Sequence, residues 1–201
     1  NPGEVRESEI ADGGKLKFCW IPPGKSMLGS PATEEKRRED EAEHEYTSKG
    51  YWLGKYHVTQ GEYKAVMGSL PKEFKDEPKG DRLPALANLR HCREFLEKCS
   101  MKGLRLPDEY EWEYACRGGK GNQQPFYWGH GLNGVQANSR GNIYGTKSPG
   151  PTLETYTEVG AYEKVAPHPW GLCDMHGNVR DWCINRNKTE KQDPGIMRGG
   201  R

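Results

Sequence analysis

Between His168 and Cys183 the chain reads HPWGLCDMHGNVRDWC. These positions hold two tryptophans, two cysteines, two aspartates and three glycine or asparagine turn formers. Their apolar residues follow neither the helical period of about 3.6 nor the alternation of a strand. The stretch is therefore read as a packed, irregular loop whose backbone is aimed at something, held by its large aromatic side chains.

Working outward, the composition says what kind of body can hold such a loop. Over 201 residues, 33% are hydrophobic and 10% aromatic, so one core built from few, large side chains is expected. With 26 glycines and 14 prolines the chain reads as a loop-rich α+β domain, and six tryptophans and ten tyrosines argue against disorder. Thirty basic residues against 29 acidic ones leave a net charge of +1, which supplies no basic field for nucleic acid or an anionic membrane. No apolar run approaches the length of a bilayer span. The opening NPGEVRESEI has neither an initiator methionine nor an apolar signal core, so the residues are read as a mature form or a domain, with no compartment assigned. Six cysteines at 19, 92, 99, 116, 173 and 183 contain no CxxC pair and are read as buried free thiols.

Local signals then place the elements. LKFCWIPPG alternates Leu16, Phe18 and Trp20 and stops at Pro22-Pro23-Gly24, as a strand entering a turn does. The mixed charges from Glu34 to Glu45 read as a solvated face or loop. Thr59 and Glu62 form a capping box, Val58 staples onto Tyr63 and Gly68 ends a helix of about two turns. Leu89, Cys92, Leu96 and Cys99 recur at helical spacing, and a third helix starts at the Asp108 cap with Glu111 as its partner and ends at Gly118. From Gly118 to Pro167 the chain reads as long coil, which inside a compact domain calls for an organising function or ion. His168 and His176 lack ligand-pair spacing and read as surface or turn residues.

At this point five motifs carry a resemblance. IPPGKSMLGS, LGKYHVTQGEY, RLPDEYEWEYACRGG, WGLCDMHGNVRDW and the closing RGG stand in the order and near the spacing of the formylglycine-generating enzyme (sulfatase-modifying factor) family. The resemblance runs from about Leu16 to Gly200. It implies a C-type-lectin-like α+β fold, with a small twisted antiparallel sheet, two to three short helices and much ordered coil. Residues 1–15 are then a polar N-terminal extension and 16–201 the domain, ending short of its C-terminal strands. Trp112, Trp128, Trp170 and Trp182 become core anchors. Departures are Ser26 for a phenylalanine, Leu89 and Arg180 each for a tryptophan, and Asp181 for a glutamate.

The resemblance also implies a function. The family's activity is copper- and O2-dependent oxidation of a sulfatase cysteine to formylglycine, by a cysteine pair that follows the RGGS motif and matches no position here. Copper is expected only with such a pair, and the expected partner is a sulfatase or another protein or peptide. Structural calcium is implied at Asp174 and Asp181 through carboxylates, at Gly177 and Val179 through backbone oxygens, and at a second site at Asn138 with the Ser139 carbonyl. Calcium takes six to eight oxygens, which a glycine-turned loop can gather; a bare turn capped by Asp174 is the alternative. An oxidase and a non-catalytic ligand-binding or display module both remain open.

Overall fold

The computed structural model describes residues 1–201 except 12, 35, 36, 40, 189–192 and 201, so part of the charged run and the final arginine lie outside the described residues. Among the described residues five strands come first, three α-helices and one short 3-10 helix (Lys72–Phe74) follow, and two further strands come last. β1 (Val5–Ala11), β2 (Gly14–Ile21) and β5 (Tyr51–Gly54) form a sheet in the order β1-β2-β5. β3 (Gly24–Leu28) pairs with β4 (His44–Ser48), and β6 (Gly177–Cys183) with β7 (Ile196–Gly200). No helix among the described residues is long and apolar enough to cross a membrane.

β2 is the pivot of the fold because both of its faces are covered. Leu16 and Phe18 pack with Ile10, Tyr63, Phe95 and Cys99 in one cluster, whereas Cys19 and Ile21 join a second cluster around Trp112, Tyr114, Trp170 and Leu172. The polar opening contributes to this arrangement: Val5 lies opposite Cys19, Arg6 opposite Phe18, and Ile10 is fully buried. A strand so rich in charge shows no clear alternation, and it forms by pairing with β2.

The helices follow their local signals. α1 (Gln60–Met67) begins at Thr59 with both halves of the box made with Glu62, and ends at Gly68 with φ +81°. α3 (Glu109–Cys116) begins at Asp108, which accepts from the Tyr110 and Glu111 N–H groups while Glu111 returns a bond to the Asp108 N–H. α2 (Leu89–Lys98) is capped by Asn88 and His91. Leu89, Phe95 and Cys99 are its buried apolar side, and Phe95 stacks on Tyr63 at 5.6 Å. Cys92 and Leu96, expected on the buried stripe, are only half covered.

The 168–183 stretch differs from its reading as a loop: its second half is β6. The alternation fails there because the β6–β7 register shifts between Gly177 and Arg180 and Asn178 takes a left-handed φ of +58°. Trp112 and Trp170 are core residues, while Trp128 and Trp182 are half-buried with their indole N–H groups on the Gly131 and Ala87 carbonyls.

Candidate functional site

Asp174 and Asp181 sit on the two limbs of the 168–183 stretch. Asp174 is buried in a left-handed turn (φ +59°), and its Oδ2 accepts the Gly160 N–H at 2.6 Å. Burial raises its pKa, against the pull of that N–H. Asp181 is anchored from two sides. Its Oδ2 accepts the Trp112 Nε1–H at 2.9 Å, and its Oδ1 lies 3.3 Å from His57 Nε2. Burial would lower the His57 pKa, but the Asp181 and Asp174 carboxylates outweigh it and hold the pKa above its ordinary value. His57 escapes a sequence reading because it stands in KYHVTQ, ahead of a helix cap, with nothing local to mark a counter-ion.

Asn178 ties the long coil to this limb. Its side-chain amide exchanges two bonds with the Thr157 backbone, at 3.0 and 3.1 Å, and its N–H donates to the Asn138 carbonyl at 3.0 Å. Asn138 in turn donates through Nδ2 to the Thr155 carbonyl at 2.9 Å. Gly177 follows from this close approach: a Cβ there, at φ +89°, would stand 2.7 Å from the Asn138 oxygen. The Ser139 hydroxyl donates to the Asn142 carbonyl, and the Ser139 carbonyl accepts the Asn142 N–H.

The two expected calcium regions differ in fit. Asn138 Oδ1 is buried without a partner, and so is Oγ1 of Thr157, which Asn178 links to Asn138. Surplus buried acceptors are what an oxygen-liganded cation satisfies, so this region fits calcium. The Asp174–Asp181 region has no buried side-chain oxygen without a partner among the described residues. Asp181 Oδ2 already accepts the Trp112 N–H, and Oδ1 has His57 Nε2 as a neighbour at 3.3 Å. Among the described residues no three His, Cys, Asp or Glu side chains gather to hold a metal.

The cysteines are free, and five of the six are buried, with Cys92 half-buried. Burial pushes the Cys19 and Cys92 thiols up to about 11 and those of Cys116, Cys173 and Cys183 higher still. None of these five is a thiolate near neutral pH, the form that attacks or binds a soft metal. Cys116 Sγ lies 3.3 Å from His176 Nε2, yet burial pushes that imidazole down to about 3, so the pair is neutral on both sides. The histidines correct the sequence reading. His168 is buried, and His176 packs among Phe126, Tyr127 and Trp128 at 5.0 to 5.5 Å.

Beside His57 and Asp181 opens a cavity of about 870 Å³. Its walls are β5, β6 and the half-covered side of α2, with Leu16, Phe18 and Trp52 among its apolar surfaces. A space of this size, apolar with a few polar groups, is the usual form of a binding site.

Comparison with known proteins agrees with this anatomy. Residues 15–201 match the Sulfatase-modifying factor enzyme 1-like domain. The bovine (Bos taurus) protein named Inactive C-alpha-formylglycine-generating enzyme 2 is 38% identical over 105 residues, covering 50% of this chain and 33% of that protein. A Formylglycine-generating enzyme of Thermomonospora curvata is 41% identical over 85 residues, 41% of this chain and 27% of that protein. The chain thus spans about a third or less of the length of these relatives. The structure of PvdO from Pseudomonas aeruginosa superposes with a TM-score of 0.71 at 22% identity, covering 100% of this chain and 86% of that one, and it shows the same α+β, C-type-lectin-like fold. The chain belongs to the sulfatase-modifying factor family, that of the formylglycine-generating enzymes.

Proposed function

We propose that these 201 residues act as a polypeptide-binding module of the formylglycine-generating enzyme family. The observation that carries this reading is the apolar cavity of about 870 Å³ between β5 and β6. The partner class is a sulfatase or another protein or peptide, in keeping with relatives named for formylglycine generation. Two relatives bear the word inactive in their names, so the family includes members described without the oxidation.

Copper- and O2-dependent oxidation of a sulfatase cysteine is the second reading, favoured by the named enzymes. It needs a pair of accessible thiolates, and burial holds Cys19, Cys92, Cys116, Cys173 and Cys183 towards the thiol form. Under that reading the pair comes from residues outside these 201. Calcium is proposed at Asn138 and the Ser139 carbonyl as a structural ion that ties down the coil after α3, supported by the unpaired oxygens there. At Asp174, Gly177, Val179 and Asp181 no such unpaired oxygen supports calcium among the described residues, and His57 Nε2 stands 3.3 Å from Asp181 Oδ1.

The deciding experiment mixes the protein with copper and a peptide carrying Cys-x-Pro-x-Arg, then follows tryptophan fluorescence for binding and mass spectrometry for the peptide thiol. Saturable binding with the thiol intact supports the module. Loss of the thiol selects oxidation, and the absence of any binding removes the proposal.

A further inference from the structure

Between α3 and β6 the long coil folds back on itself at the chain's single Asn-Gly pair, Asn133-Gly134. Leu132 exchanges both backbone bonds with Tyr144 at 2.9 Å, and one residue on, Asn133 Nδ2 donates to the Ser148 carbonyl at 3.0 Å. Asn133 Oδ1 accepts the Val135 N–H at 3.3 Å, the usual reach of an asparagine to its own backbone two residues on. The main chain beneath is packed without slack. Gly134 is buried at φ +86°, where a Cβ would strike the Pro151 carbonyl oxygen. A Cβ on Gly150 would likewise strike the Asn133 carbonyl oxygen, so residues 148–151 lie on 133–134 at backbone contact.

Asparagine before glycine is a reactive pair, because no side chain shields the following amide nitrogen. Among the described residues the Gly134 N–H donates to no acceptor. In the reaction that nitrogen bonds to the Asn133 Cγ, the Cγ–Nδ2 bond breaks, and the proton of the N–H leaves with the side-chain amine as ammonia. Water then opens the cyclic imide at either carbonyl, giving aspartate or isoaspartate. No oxidant or reductant takes part.

The packing opposes every stage. Ring closure has to pull Nδ2 off the Ser148 carbonyl and turn Cγ onto a nitrogen held under Pro151. The aspartate product sets a carboxylate oxygen against the Ser148 carbonyl, two acceptors with no proton between them. Isoaspartate adds a carbon to the main chain where the contacts at Gly134 and Gly150 leave no room for one.

We infer that Asn133-Gly134 is a one-way chemical latch on the coil. It stays shut while residues 148–151 cover it, deamidates once they lift, and in either product keeps them from returning. The inference is independent of the binding and calcium readings above.

The test holds the protein at body temperature and mildly alkaline pH and follows residue 133 by peptide mapping, as a gain of one mass unit and as isoaspartate. Three samples run together: folded wild type, wild type unfolded in urea, and folded Gly150→Ala. Gly150 lies outside the left-handed region, so its added methyl acts through contact with the Asn133 carbonyl. Should that variant fail to fold, Pro151→Gly loosens the same segment through chain entropy and takes its place. Expected is conversion several-fold slower in folded wild type than in urea, and several-fold faster in the folded variant than in folded wild type. Limited proteolysis should then cut between residues 131 and 151 in converted protein, separated by its extra negative charge, and not in fresh wild type. Equal rates in folded and urea-unfolded wild type overturn the inference, as do equal rates in folded wild type and the variant. Converted protein as resistant to the protease as fresh wild type also overturns it.

Discussion

Acid should loosen the protein through His168, and the size of the effect follows from what surrounds the ring. The side chain is 6% exposed. Its Nε2–H donates to the Ala115 carbonyl at 2.9 Å, and its Nδ1 accepts the Trp170 N–H at 3.0 Å. A second proton has to enter at Nδ1, which breaks the Trp170 bond and buries a charge against the Tyr127 ring at 4.6 Å. Burial accordingly pushes the pKa down to about 4 from 6.5, against the help of the Ala115 and Cys116 carbonyls. A lowered folded pKa favours the neutral form, so the stabilisation is whole above the unfolded value of ~6.5 and is lost as pH falls towards 4. At about pH 5, roughly 1.5 pH units below the unfolded value, the loss is about 2 kcal/mol. His176, pushed down to about 3, adds a loss of the same sign, and Asp174, raised by burial, opposes both at lower pH. The assay is urea unfolding near pH 7.5 and near pH 5 for the wild type and for His168→Gln, whose amide can still donate to Ala115 but does not titrate. The variant should start about 1 to 2 kcal/mol less stable and lose about 2 kcal/mol less between the two pH values. Equal losses in the two proteins refute the reasoning.

Three further outcomes are expected. Gly177→Ala should cost about 2 kcal/mol or more, a fall of roughly 4 to 8 °C in Tm, because its Cβ meets the Asn138 oxygen at φ +89°. Gly13→Ala, also at positive φ but in open space, should cost about 1 kcal/mol, and matching falls would show that crowding at Asn138 is not the cause. A double-mutant cycle of Trp112→Phe with Asp181→Asn should give a coupling above about 1 kcal/mol from the Nε1–Oδ2 bond, and additivity would remove that bond as an anchor. Calcium at about 100 times its Kd should stabilise the protein by about 2.7 kcal/mol, and Asn138→Ala should abolish the gain. An unchanged melt with calcium and with chelator would remove the Asn138 proposal.

Legibility in the sequence tracked the span of the interactions. The caps of α1 and α3 were readable to the residue, since Thr59 with Glu62 and Asp108 with Glu111 are partners three positions apart. β1 was not, because its polar residues become a strand only against β2. β6 hid behind a register shift and a left-handed Asn178. The expected Cys92–Leu96 stripe of α2 was readable as apolar but not as the wall of a cavity.

The candidate site divides in the same way. Asp174, Asp181, Asn138 and the motifs that identify the family lie in the order of residues, and so do the turns that glycine and asparagine permit, because backbone conformation is chosen locally. Which carboxylate meets His57 or Trp112, which histidines lose their proton affinity and which thiols are inert were decided by packing alone. Charge and reactivity depend on burial and on nearby counter-ions, and here those come from segments far apart in the chain.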